Sequence, residues 1–240
     1  MKNSFLPLML KIITVSILIV TLPISSFSKP AAAIKNVNDE APFLSHIVEQ
    51  FNEQTNGVGK KQEKNLLSKA KKHLKEKENL VILKHNNLDF NNALVKVLEN
   101  GKFFVRVANK GKNEVENFNS VAIIFNQEEN IDSIVEVNLE MQTEEKAELK
   151  TWLNGDLVDD VKFDKPDVEP QWSWKVFQDC LSSKGISWAI VSALGFLCGA
   201  ACIATAGAAC VGCLLAAGSV TSGTISYCVG AGMREKDYNI

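Results

Sequence analysis

Cysteine is the residue type in this 240-residue chain best placed to do chemistry, and all six copies fall between Cys180 and Cys228. Cys198 and Cys202 form one close pair, Cys210 and Cys213 another, and Cys180 and Cys228 flank them. Three chemistries use cysteine at such spacings. The C-x-x-C run Cys210-Val211-Gly212-Cys213 has the form of a redox dithiol, but those motifs sit on thioredoxin-like βαβ units and none surrounds it. A four-thiolate zinc site needs knuckle turns with polar groups behind the ligands. From Gly185 to Met233 there is no Asp, Glu, Lys, Arg or His at all, a run of 49 residues. Disulfides fit best, because an even number of clustered cysteines in an exported chain reads as a covalent framework. Residues three or four apart share a helix face, so each inner pair staples its helix to another more readily than it closes on itself. Six cysteines allow fifteen connectivities, and the spacing does not choose among them.

Other reactive groups form no constellation. The three histidines, His46, His73 and His85, make no H-E-x-x-H, and His73 lies in a lysine-rich helical pattern that repels a metal. Glu128-Glu129 and Asp159-Asp160 are neighbouring carboxylates, and neighbours on a strand point to opposite faces, so neither pair forms an acid/base couple. No Gly-rich loop cradles a phosphate. We therefore expect no enzyme, no metal and no cofactor. A formal net charge of −2 likewise gives no general case for a nucleic-acid partner.

The elements that would position the cysteines change character along the chain. Residues 1–33 have the layout of a cleaved secretory signal, which predicts a secreted protein. Lys2 and Lys11 supply charge, Ile12–Leu22 is apolar up to Pro23, and Ser26, Ser28 or Ala31-Ala32-Ala33 offer small residues for cleavage. Residues 34–164 read as two helices followed by an antiparallel meander, an α+β unit. Phe43, Leu44, Ile47, Val48 and Phe51 recur at helical spacing up to Gly57, and Leu66, Leu67, Ala70 and Leu74 mark a second helix from about Lys64. The period then falls to two from about Leu80. Val95 and Val97 face Phe103, Val105 and Val107 across a two-residue turn at Asn100-Gly101. Strands are expected at Ser120–Asn126, Ile131–Met141, Leu149–Leu153 and Leu157–Phe163, the last two joined by Asn154-Gly155.

Charge is segregated within this middle region. Residues 60–112 carry 14 basic and 5 acidic side chains, whereas residues 114–169 carry 4 and 16. Solvated faces of opposite sign that attract each other are one reading; a charged face that holds a partner, such as the chain's own C-terminal segment, is the other. Residues 165–170, with Lys165, Pro166, Glu169 and Pro170, read as an exposed linker open to a maturation protease. Beyond it, residues 171–240 read as an all-α, cysteine-rich peptide. Trp172, Trp174 and Trp188 stand at the edges of its apolar stretches, where indoles suit a membrane–water interface. Trp188–Thr205 is charge-free and holds Gly195 and Gly199 in a G-x-x-x-G, so the rival reading is a membrane anchor bearing an extracellular binding meander.

The W-x-W-x-x-F-x-x-C-L opening (Trp172, Trp174, Phe177, Cys180, Leu181), the Cys198–Cys202 C-G-A-A-C and the C-V-G-C resemble halocin-type bacteriocin precursors and their Gram-positive relatives. The archaeal type is richer in cysteine and carries a twin-arginine signal, which this chain lacks. The resemblance implies that residues 171–240 are released as a disulfide-stapled antimicrobial peptide. It also implies that the middle region masks the peptide or confers immunity, and that the target is the membrane of competing bacteria.

Overall fold

The computed structural model describes Ile47, Glu49 and residues 51–77, 80–111, 113–165, 174–184, 186–198, 211–219 and 228. Among them, seven strands form one antiparallel sheet in strict chain order, each hydrogen-bonded to the next. They are β1 (Thr55–Gly57), β2 (Leu94–Leu98), β3 (Phe103–Ala108), β4 (Ser120–Phe125), β5 (Ile131–Met141), β6 (Lys146–Leu153) and β7 (Asp156–Asp164). Helix α1 (Lys60–Glu76) precedes β2, and the short α2 (Glu114–Phe118) joins β3 to β4. Three further helices follow the sheet: α3 (Trp174–Ser183), α4 (Trp188–Leu197) and α5 (Val211–Ala217). The α+β class holds.

The centre of the sheet is apolar on both faces. All six residues of β4 are buried, and so are five of the six in β3. Antiparallel strands buried this way need a cover on each side. Val105, Val121, Ile123, Phe125 and Ile134 point to one side, where α1 lays Leu66, Ala70 and Leu74 over them. Phe104, Ala122, Ile124, Val135 and Val137 point to the other, where they meet Phe51, Phe118 and the helices that follow the sheet. Alternation with period two sends adjacent residues of each strand into different cores.

Turn chemistry sets the register. Asn154 and Gly155 both have positive φ, +53° and +94°, and make the two-residue turn between β6 and β7. At Asn100-Gly101 only Gly101 does so, at +78°, and the loop is three residues long, because the Leu98 N–H bonds the Lys102 carbonyl. A left-handed glycine after a tight turn is the usual three-residue solution.

Several expectations are corrected. Residues 51–54 are helical but Thr55–Gly57 is strand, paired with β2, so the first helix stops before Gly57. The Thr55 hydroxyl donates to the Phe51 carbonyl there. Residues 80–93 contain short 3-10 turns at His85–Asn87 and Phe90–Asn92, and period-two structure begins only at Leu94. Glu129 is not on a strand; it has φ +60° in the β4–β5 turn and receives hydrogen bonds from Gln62, Asn65 and Lys69 of α1. The 1–33 signal, Phe43, Leu44, Val48 and His46 lie outside the described residues.

One buried carboxylate ties the chain after α1 to the sheet. Glu136 on β5 is 1 % exposed and accepts from the Ile82 and Leu83 amides at 2.7 and 2.8 Å. Burial raises its pKa above the ordinary 4.5, against the opposing pull of those two amides. The folded chain therefore holds the proton more tightly than the unfolded chain does. Stability gained at low pH is lost as pH rises from about 4.5 through the raised folded value. Denaturant unfolding from pH 4 to pH 7 should show the natural chain losing stability with rising pH relative to Glu136→Gln. A difference that stays flat, or grows in the other direction, would contradict this assignment.

Candidate functional site

The feature with the most functional content is the second face of the sheet and what covers it. The segment after β7 is built to lie there. Helix α4 reads WAIVSALGFL, and seven of its ten residues are buried on several sides while none of the ten is exposed. A helix apolar all round is stable only when surrounded. α3 ends as the Lys184 and Ile186 amides both bond back to the Leu181 carbonyl, and Leu181 and Ile186 enter the same core. α5 adds Val211, Leu215 and Ala216. It ends at Gly218, where an added Cβ would lie 3.1 Å from the Leu94 side chain, so a bare backbone lets the helix end settle on β2.

Two disulfides hold this cover together. Cys198 pairs with Cys213 across Cα atoms 4.7 Å apart, linking the end of α4 to α5, and Cys180 of α3 pairs with Cys228 across 5.5 Å. The first joins one cysteine of each inner pair, as helix-face geometry favours, and the second joins the two flanking cysteines. Closing a loop of 15 residues by such a bridge contributes about 3 kcal/mol. Both bridges lie wholly within the segment after the linker, so neither joins it to the sheet.

The contact between cover and sheet is apolar with two polar pins. Arg106 of β3, 7 % exposed, donates through Nε to the Leu215 carbonyl of α5 and through Nη2 to the Asn117 carbonyl of α2, both at 3.0 Å. Carbonyls in a helix's last turn lack partners within the helix, and a cation satisfies them well. Burial pushes the guanidinium down to about 10, which leaves it charged at neutral pH. The second pin is Trp188, 7 % exposed, whose indole N–H donates to the Glu144 carbonyl in the β5–β6 turn at 3.0 Å. Beside it, an open groove of about 450 Å³ runs along the seam, lined by Val115, Glu116, Asn138, Met141 and Ser187.

The sequence-predicted site residues divide accordingly. Cys180, Cys198, Cys213 and Cys228 are brought together in pairs, while Cys202 and Cys210 lie outside the described residues. Trp188 sits inside the molecule in this state, not at a surface. Trp174 opens α3 and its side chain, like Trp172, is outside the described part. Lys165 is exposed just after β7, its amide bonded to the Glu145 carbonyl, and Pro166, Glu169 and Pro170 lie outside the described residues. Among the described residues no helix is long and apolar enough to cross a membrane, and no cluster of His, Cys, Asp and Glu could hold a metal ion. Arg106 went unnoticed in the sequence. Its signal was there: a lone cation in the run Phe103-Phe104-Val105-Arg106-Val107, on the same face as Phe104.

Replacing Arg106 by Met keeps the apolar stem and removes the charged donors, leaving the buried Leu215 carbonyl and the part-buried Asn117 carbonyl without them. We expect a loss of about 1–3 kcal/mol by denaturant unfolding, with faster trypsin cleavage at the exposed Lys184 between α3 and α4. Unchanged stability and cleavage would show that Arg106 does not pin the cover. No protein-family model, curated protein or solved structure matches this chain.

Proposed function

We propose that this chain is a secreted precursor of a disulfide-stapled antimicrobial peptide, with the sheet unit masking the peptide until it is cut free. The observation that carries the reading is the way the C-terminal segment is held. Its disulfides are internal, its apolar helices are covered, and its hold on the sheet is non-covalent. A cut in residues 165–173 would therefore leave a cross-linked unit free to depart whole.

Departure uncovers what the sheet had kept from water. Leu181, Ile186, Trp188, Ile190, Leu194 and Leu197 lose their partners and need another apolar medium. A bilayer of a competing cell supplies one, and indoles such as Trp172, Trp174 and Trp188 suit its interface. The ten residues of α4 fall short of the ~20 that span a hydrocarbon core, so the peptide acts as an assembly of short helices. In this reading the peptide is all-α and the masking unit also protects the producing cell.

Intact masses from culture supernatant, with and without reduction and alkylation, test the proposal alongside growth inhibition. A fragment beginning within 165–174 that takes up six alkyl groups only after reduction, and that inhibits growth where the intact chain does not, is the expected result. Full-length protein that stays with membranes and has freely alkylated thiols would overturn it in favour of an anchored surface protein. For the masking unit, expression of residues 31–170 in a sensitive strain should raise its inhibitory dose. An unchanged dose would count against self-protection.

A further inference from the structure

The lysine-rich face of α1 has no assigned partner. Leu66, Ala70 and Leu74 point to the sheet, and Lys61, Lys64, Lys72 and Lys75 recur on the opposite side, all exposed, with Lys60 and Lys71 beside them. Residues 60–77 hold eight lysines against Glu63 and Glu76. Of the eight, Lys69 is engaged by Glu129 at 2.7 Å and Lys72 lies 3.9 Å from Glu76. Among the described residues Lys61, Lys64 and Lys75 have no ion-pair partner. The described helices of the C-terminal segment, α3 to α5, pack on the other face of the sheet and do not meet these lysines.

A second observation lies in the same layer. Ile82, 62 % exposed, is the most exposed large apolar side chain among the described residues, and it lies between the exposed Lys77 and Lys84. It does not dangle. Val81 beside it is buried under α1, and the Ile82 amide is fixed to Glu136. A pinned loop thus presents one apolar side chain beside a field of cations.

We propose that this face docks the chain on an anionic bilayer surface, the lysines meeting headgroups and Ile82 entering the headgroup–acyl boundary. Lysines near such a surface each add attraction that ionic strength screens, and a shallow apolar insertion adds to it. Nucleic acid is the poorer match. α1 has no arginine for bidentate phosphate or base contacts and no Phe, Tyr or Trp for stacking, whereas lysine point charges suit mobile headgroups. The proposal does not rest on the antimicrobial reading, since it concerns the opposite side of the sheet.

The test is co-sedimentation of the full chain with vesicles containing about one-third phosphatidylglycerol, and with neutral phosphatidylcholine vesicles to measure charge-independent binding by apolar segments. We expect tighter binding to the anionic vesicles, lost in high salt, at least about tenfold weaker in K61E/K64E/K75E and several-fold weaker in Ile82→Ser. All three lysines are exposed, so thermal unfolding of the triple variant should match the natural chain. If it does not fold, K61Q/K64Q/K75Q should show the same loss. Equal binding to both vesicles, unchanged binding by the folded variants, or displacement from vesicles by an RNA oligonucleotide would overturn the proposal, the last in favour of a nucleic-acid partner.

Discussion

A strand buried along its whole length needs covering on both sides, and β4 imposes that requirement on everything around it. Ser120–Phe125 sits mid-sheet; its neighbour β3 is nearly as buried, and β5 is buried over Ile134–Val137 and at Leu139. One face is closed by α1, a polar helix with a narrow apolar stripe. The other is closed by helices from a segment with no charge over 49 residues. The two covers differ in kind. The first has a wet outer surface, whereas the second is built around α4, which is apolar nearly all round and needs enclosure.

That difference explains how charge is distributed. The basic and acidic halves of the middle region meet at Lys69–Glu129 and Lys102–Asp132, both 2.7 Å. Half-exposed pairs of this type contribute little each. They align α1 and the β4–β5 turn with the strands more than they hold the fold together. On the second face the economy is reversed. Arg106 is a single buried cation, and its two hydrogen bonds go to backbone carbonyls of different helices. A sheet that holds its cover by apolar contact and a few directed bonds has no disulfide to it, so the connecting chain is the covalent link between them.

Much of this was legible in residue patterns. The strands at 120–126 and 131–141 follow from runs of β-branched and aromatic residues, and Asn154-Gly155 announces its turn because both positions need positive φ. α1 is readable from Leu66, Ala70 and Leu74. Other features were not local. Thr55–Gly57 is strand because β2 offers it an edge, not because of its own composition. Period two shows that Phe104 and Val105 face opposite ways, but not which distant segment lies over each. The pairing of Cys198 with Cys213 depends on how α4 and α5 cross, which spacing along the chain does not specify. Trp188 looked interfacial because its neighbours are apolar, and a carbonyl 44 residues away in sequence satisfies its N–H instead.

The described helices of the charge-free segment and the sheet share one core. Hydrogen exchange on the oxidised full-length chain tests it most directly, since amides that open together reveal a shared cooperative unit. Amides of Trp188–Leu197 should be protected as strongly as those of Ser120–Phe125, and both should lose protection together as denaturant is added. Rapid exchange in Trp188–Leu197 while Ser120–Phe125 stays protected would contradict a shared core, because the sheet would then stand without this cover.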